Sequence, residues 1–259
     1  MLYTLFTEDI PDPRPRTDII SFADDITQVI TGYNYRYIAK QTERAIKEIN
    51  TYKRKWKIQT NTKKFQIIPI GRRNTTQIKI DQQDYEYTPH GKILGLNFNT
   101  WGIKNQVTTR KQIARDSLGK LYRFRDLSQQ NKLKLYKSLV QSALIYPVIP
   151  LNTISKPAML QLQTVQNQAL RFVTNTRWYH FKTAESLHTE CRIQPVNITI
   201  HTQAKNLWAK IKTNNPDLYR KATHLISPNL TTHSYFPSSR RIAEGPTPGP
   251  LYTTSRRNR

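Results

Sequence analysis

Asp18-Ile19-Ile20-Ser21-Phe22-Ala23-Asp24-Asp25-Ile26-Thr27-Gln28-Val29-Ile30-Thr31 is the run from which the fold is read. Two short segments rich in Ile, Val, Phe and Thr meet at adjacent carboxylates. Such segments favour strands, and a short polar junction between them predicts a β-hairpin. The hairpin presents Asp24 and Asp25 at its tip, anchored from both sides by buried apolar side chains. Two carboxylates this close repel unless a cation lies between them. Hard divalent ions such as Mg²⁺ take carboxylate oxygen, so a metal is the natural partner. An Asp-Asp pair is also an ordinary solvated turn, so the rest of the chain has to decide.

Charge is the next signal. The 259 residues carry 41 Lys and Arg against 17 Asp and Glu, a net of +24. Such an excess implies a polyanionic partner, nucleic acid first and an anionic membrane surface second. Six of the acids fall in the first 25 residues; the remainder holds 39 basic and 11 acidic residues, net +28. A small acidic spot followed by a long basic surface fits a metal-dependent site acting on nucleic acid. Apolar residues make up 37%, enough for a core but below the usual share. Cys191, the one cysteine, permits no intrachain disulfide and points to a reducing compartment. Neither a signal peptide nor a membrane span is recognisable; the best apolar run, Ala143 to Leu151, is broken by Pro147 and Pro150.

Along the chain, Met1 to Phe6 has the spacing of a last helical turn, stopped by Pro11, Pro13 and Pro15. Beyond the hairpin, Ile38, Ala45, Ile46, Ile49, Tyr52 and Trp56 predict an amphipathic helix from Tyr35 to about Trp56. Strands are expected near Phe65 to Ile70, Ile78 to Ile80, Tyr85 to Tyr87 and Lys92 to Phe98. The last has Gly95 inside it, where a glycine marks close approach by another backbone. Residues 1 to about 100 thus read as an antiparallel sheet backed by one helix. Helices follow: one with the stripe Val107, Ile113, Ala114, Leu118, Leu121 and Phe124, and one capped by Ser128 with Leu133, Tyr136, Leu139, Val140 and Ala143. A third opens at Ser155-Lys156-Pro157, and a weaker fourth spans about Ile198 to Lys212. The polar tail beyond Ser227 is expected to be disordered.

Taken together these pieces resemble the reverse transcriptases of non-LTR, jockey-like retrotransposons. Phe22-Ala23-Asp24-Asp25 matches that family's aromatic-Ala-Asp-Asp box. Asn61-Thr62-Lys63-Lys64 is similar to its Asn-x-x-Lys motif, with Phe65 in place of a small residue. Ile93-Leu94-Gly95 resembles its primer grip, and Leu2 to Pro11 looks like the segment after its template-gripping motif. Tyr146-Pro147 and Gln163 to Arg171 look like its helical region. The likeness covers about residues 1 to 200, with the motifs in the family's order.

The resemblance implies an α+β fold: the C-terminal half of an antiparallel polymerase palm over residues 1–102 and a helical thumb over 103–150. A helical post-thumb region over 151–226 and the basic tail over 227–259 complete the expected organisation. It implies RNA-directed DNA synthesis on an RNA template, from a DNA primer, with deoxynucleotides and two Mg²⁺ ions. Asp24 is then a catalytic metal ligand and Asp25 its support. Lys64 neutralises the incoming triphosphate, while Ile93, Leu94 and Gly95 contact the primer. The family's other catalytic aspartate lies upstream of the region corresponding to Met1. The chain is therefore expected to be the C-terminal piece of a polymerase, inactive by itself and needing an N-terminal polymerase region. No membrane partner is implied; the reaction places the protein inside the cell and at nuclear DNA during integration.

Two other constellations compete. His188, Glu190 and Cys191, with His180 nearby, have the spacing of half a zinc site. Structural zinc takes four Cys or His ligands, so these read as surface or helix-cap residues. Basic residues flank Trp56 and Phe124 in a pattern suited to stacking on single strands, but at helical spacing both read as core. The remaining alternative is a non-catalytic, basic nucleic-acid-binding remnant.

Overall fold

β1 (Thr17–Phe22) and β2 (Asp25–Ile30) pair antiparallel in the register Phe22 opposite Asp25 and Thr17 opposite Ile30. Their β-branched and aromatic residues favour the extended state. Arg16 closes the open end: its carbonyl accepts from the Thr31 amide at 2.9 Å, and its guanidinium lies 4.2 Å from the Tyr33 ring centroid. The computed structural model describes residues 10–11, 16–23, 25–59, 65–71, 78–80, 83–85, 87–100, 102–103, 106–147, 154–176, 182–224 and 249–252. The helix expected at Met1 to Phe6 lies outside them.

The chain divides into two compact units, Met1–Lys104 and Asn105–Arg259. In the first, α1 (Tyr35–Trp56) begins where Asn34 accepts the Tyr37 amide at 2.8 Å. It ends where Lys57 turns left-handed at φ 53°, with Lys53, Arg54 and Lys55 in the last turn facing the negative end of the helix dipole. It buries Thr42, Ala45 and Ile46, and Ile46 packs against Ile67 and Tyr87. β3 (Ile78–Ile80) pairs with β4 (Gln83–Tyr85), while β5 (His90–Ile93), β6 (Leu96–Asn99) and β7 (Gly102–Ile103) form a second antiparallel group. The anticipated single sheet is thus three separate small sheets among the described residues. Ile67 makes one parallel bridge to Tyr87 in place of a longer strand.

Gly95 corrects the expectation of a glycine inside a strand. Leu94 and Gly95 are the two-residue connection between β5 and β6, at φ 48° and 78°, with Ile93 opposite Leu96. Two successive positive φ values make the primed turn that suits a hairpin's twist, and Gly meets that demand without a Cβ clash. A close approach occurs at Gly91 instead, and side chains rather than another backbone make it, the Ile68 Cδ1 nearest. A Cβ there would lie 2.8 Å from Ile68 Cγ1 and 2.9 Å from Gln66 Oε1.

In the second unit, α2 (Gln106–Leu121) leads through a 3₁₀ turn (Tyr122–Phe124) to α3 (Gln129–Leu135). Ser128 caps α3 by accepting the Asn131 amide at 3.4 Å. The helix then widens into a π turn at Tyr136–Gln141 before α4 (Ser142–Ile145). The widening has a packing reason. Lys132, Tyr136, Val140 and Leu144, four residues apart, are all fully buried. On an ideal α-helix each such step drifts about 40° around the axis, and a wider turn reverses that drift. Leu139, expected in the stripe, is rotated out and is 47% exposed.

The buried faces of α2 and α4 pack with α5 (Lys156–Val173), α6 (Ala184–Cys191) and α7 (Val196–Asn214) around one apolar cluster that includes Leu121, Tyr136, Leu162, Leu170, Leu187 and Ile200. α8 (Pro216–His224) adds an edge-on contact between Tyr219 and Trp208, centroids 6.1 Å apart. Phe124 was expected in the core and is 48% exposed, because the helical stripe stops with α2 at Leu121. Trp56 is half-buried. Among the described residues no helix is long and apolar enough to cross a membrane.

Candidate functional site

The β1–β2 tip is short. With Phe22 opposite Asp25, only Ala23 and Asp24 connect the strands. Asp24 lies outside the described residues, but its neighbours define the frame. Ala23 adopts φ 51°, a left-handed conformation that costs a non-glycine residue on the order of 1 kcal/mol. Such conformations gather at functional turns. Asp25 opens β2, is exposed, and shares a strand face with Phe22, Ile20, Thr27 and Val29.

The apolar residues flanking this tip are not the buried anchors anticipated. Ile20, Phe22, Ile26 and Val29 are 47%, 65%, 42% and 40% exposed. Among the described residues the hairpin has no third strand, so half-burial is confined to Thr17, Ile19, Thr27, Gln28 and Ile30. Ile93, Leu94 and Gly95 lie at the β5–β6 turn, on a different sheet from Asp25. Lys64, like Asp24, lies outside the described residues. The carboxylate oxygen of Asp25 is the right donor chemistry for Mg²⁺. Among the described residues no three His, Cys, Asp or Glu gather to hold a metal.

The second unit carries the charge. Residues 105–259 contain 24 Lys and Arg against 6 Asp and Glu, net +18. Where α2 ends, Lys120, Arg123 and Arg125 are exposed beside Tyr122 and Phe124, which are 55% and 48% exposed. Tyr122 is held edge-on to Phe172, centroids 5.2 Å apart. Asp126 approaches Arg125 at 3.9 Å, but with side chains 79% and 93% exposed this pair neutralises little. Planar rings among exposed cations suit stacking on unpaired bases along a phosphate backbone.

His188 and Cys191 are buried, correcting their reading as surface or cap residues. The carbonyl of Ile193 can only accept, so His188 Nδ1 donates to it at 2.8 Å. Nε2 is then free to accept from Gln163 Nε2 at 2.9 Å. Burial holds the imidazole below its ordinary pKa and pushes the Cys191 thiol up to about 11. Burial likewise raises the Tyr136 hydroxyl, which accepts from Gln166 Nε2 at 2.9 Å. His188 is thus a neutral element of a buried amide network. His188 and the Gln163 to Arg171 run stood out separately in the sequence, but nothing there joined them with Asn197, because these residues meet only through packing of α5, α6 and α7.

No protein-family model matches the chain, and no solved structure matches it significantly. Among curated proteins the chain is similar to the RNA-directed DNA polymerase from mobile element jockey of Drosophila funebris, 21% identical over 234 residues. The match covers 85% of this chain and 25% of that protein, so the chain spans about a quarter of its relative's length. The chain is thus distantly similar in sequence to a mobile-element RNA-directed DNA polymerase.

Proposed function

We propose that this chain contributes the later palm and the helical thumb to an RNA-directed DNA polymerase of a mobile element. The reading rests on the similarity to the jockey polymerase, which covers 85% of the chain. The tight, strained hairpin around Ala23 supports it. In this reading Asp24 and Asp25 supply carboxylate oxygens toward Mg²⁺, and the remaining carboxylate comes from polymerase sequence outside the described residues. The bound ions supply Lewis acidity for attack of a primer 3′ hydroxyl on a nucleotide α-phosphate. Lys64 meets the triphosphate, and the Ile93-Leu94-Gly95 turn supports the primer. The basic surface around Tyr122, Arg123, Phe124 and Arg125 follows the template–primer duplex or its single-stranded extension.

The test is primer extension on an RNA template by the chain joined to its upstream reading frame, with Mg²⁺. Extension that falls at least a hundredfold in Asp24→Asn supports the reading. Undiminished extension in that variant removes Asp24 from the reaction. A second reading, a binding remnant without catalysis, is favoured by the basic excess of net +18 over residues 105–259. It predicts no extension from the joined protein, yet salt-sensitive binding of RNA and DNA that Asp24→Asn leaves equal or slightly tighter.

A further inference from the structure

Gly249-Pro250-Leu251-Tyr252 belongs to the tail expected to be disordered, yet it is seated on the helical unit. Two asparagines hold its backbone. Asn197 Nδ2 donates to the Gly249 carbonyl at 2.8 Å, and Asn197 Oδ1 accepts the Leu251 amide at 3.3 Å. Asn167 Nδ2 donates to the Tyr252 carbonyl at 2.6 Å. Leu251 packs against the apolar cluster, and the Tyr252 ring sits 5.4 Å from the His188 ring, centroid to centroid.

This set of contacts has the form of peptide recognition. One side-chain amide pairs with the carbonyl and amide of alternate residues, as a neighbouring strand would. In an extended segment the groups of Pro250 face the other way, so its missing N–H costs no bond here. Its fixed φ also reduces the ordering cost of docking. Part of the receiving surface is held in advance. Gln163, 1% exposed, donates to Asn167 Oδ1 at 2.8 Å while its Oε1 accepts the Val196 amide at 3.0 Å. Asn167 is therefore positioned within the bundle independently of the tail, whereas Asn197 turns both its amide oxygen and its amide nitrogen to the tail backbone.

We propose that Asn167, Asn197 and the surface around His188 form a binding site for an extended Pro-Leu-aromatic peptide. The chain's own residues 249–252 occupy it as a releasable latch. The claim goes beyond the polymerase reading and stands whether or not that reading holds.

A fluorescent peptide spanning Thr247 to Thr254 is titrated into the full-length chain and into full-length Leu251→Asp, whose own latch is disabled. The peptide is expected to bind the variant at least tenfold more tightly than wild type. A second peptide with Asp at the Leu251 position should bind neither. Equal binding to both proteins, or equal binding of both peptides, overturns the site. Hydrogen exchange on wild type and Asn197→Ala provides the second arm. The Leu251 amide should exchange at least tenfold faster in the variant while α5 and α7 amides stay unchanged. Loss of helical circular dichroism in Leu251→Asp, or faster exchange throughout α7 in Asn197→Ala, makes the segment an integral part of the core and overturns the latch.

Discussion

Lys132 offers a sharp test of the helical unit, since it is fully buried. Its ammonium donates to Asn175 Oδ1 at 2.5 Å and lies 5.4 Å from the Phe172 ring centroid, at the C-terminal end of α5. The carbonyl end of a helix, an amide oxygen and a ring face all favour a cation. Lys132→Ala deletes three buried methylenes, about 2.4 kcal/mol at about 0.8 each, and a charge-assisted hydrogen bond of about 1.5–3 kcal/mol. The expected loss is about 4–5 kcal/mol. Lys132→Met keeps the apolar stem but loses the charge-assisted hydrogen bond to the exposed Asn175, costing about 1.5–3 kcal/mol. Asn175 itself is left-handed, at φ 53°. Asn175→Gly therefore relieves about 1 kcal/mol of backbone strain, while leaving a buried ammonium short of its acceptor at about 3 kcal/mol. The double variant Lys132→Met/Asn175→Gly removes both polar partners together and should lie within about 1 kcal/mol of wild type. The cycle then shows coupling of at least about 2 kcal/mol. Urea unfolding by circular dichroism measures it, with hydrogen exchange of α3 and α5 amides assigning the change to this unit. Additive single effects would refute the argument.

The two glycines of β5 and its turn should differ: Gly95→Ala costs about 1 kcal/mol through its positive φ, and Gly91→Ala about 1–3 kcal/mol by overpacking against Ile68. Thermal unfolding of the first unit ranks them, and the reverse order contradicts the turn assignment. Ala23→Gly should relieve the left-handed tip by about 1 kcal/mol and raise amide protection of β1 and β2 several-fold; unchanged protection counts against strain there. His188 is held below its ordinary pKa by burial, and His201 by burial and then by Lys205. A depressed histidine contributes full stability above its unfolded pKa of about 6.5, and stability declines as pH falls below that value toward the folded pKa. The urea midpoint should thus be lower at pH 5 than at pH 7.5, and lowered less in His188→Gln; identical midpoints exclude this linkage. On single-stranded RNA, Tyr122→Ala/Phe124→Ala should weaken binding about tenfold or more with an unchanged salt slope, whereas Arg123→Ala/Arg125→Ala should shrink the slope by about 1–2. Fluorescence anisotropy across a salt series separates the two, and neither change appearing would place the nucleic-acid surface elsewhere.

Local signals carried much of the architecture. The β1–β2 hairpin, α1 with its boundaries at Tyr35 and Trp56, the Ser128 cap and the opening of α5 at Ser155-Lys156-Pro157 were legible because periodicity and capping act within a few residues. The carboxylate pair and the basic excess were legible as composition. Gly95 misled because a glycine between β-formers marks either a close approach or a turn, and only the pairing of Ile93 with Leu96 distinguishes them. Phe124 and Leu139 misled for a related reason. A 3.6-residue stripe assumes an unbroken α-helix, and here the chain tightens at Tyr122–Phe124 and widens at Tyr136–Gln141.

Sequence by itself therefore determined the element types, the charge and the distant similarity to a mobile-element polymerase. Tertiary structure alone decided which face of each element is covered, that Lys132 is wholly buried, and that Asn167, Asn197 and His188 converge on residues 249–252. Backbone preference and periodicity are set by near neighbours along the chain. Burial and hydrogen-bond partnership are set by groups dozens of residues apart, and no short-range pattern encodes which of them will meet.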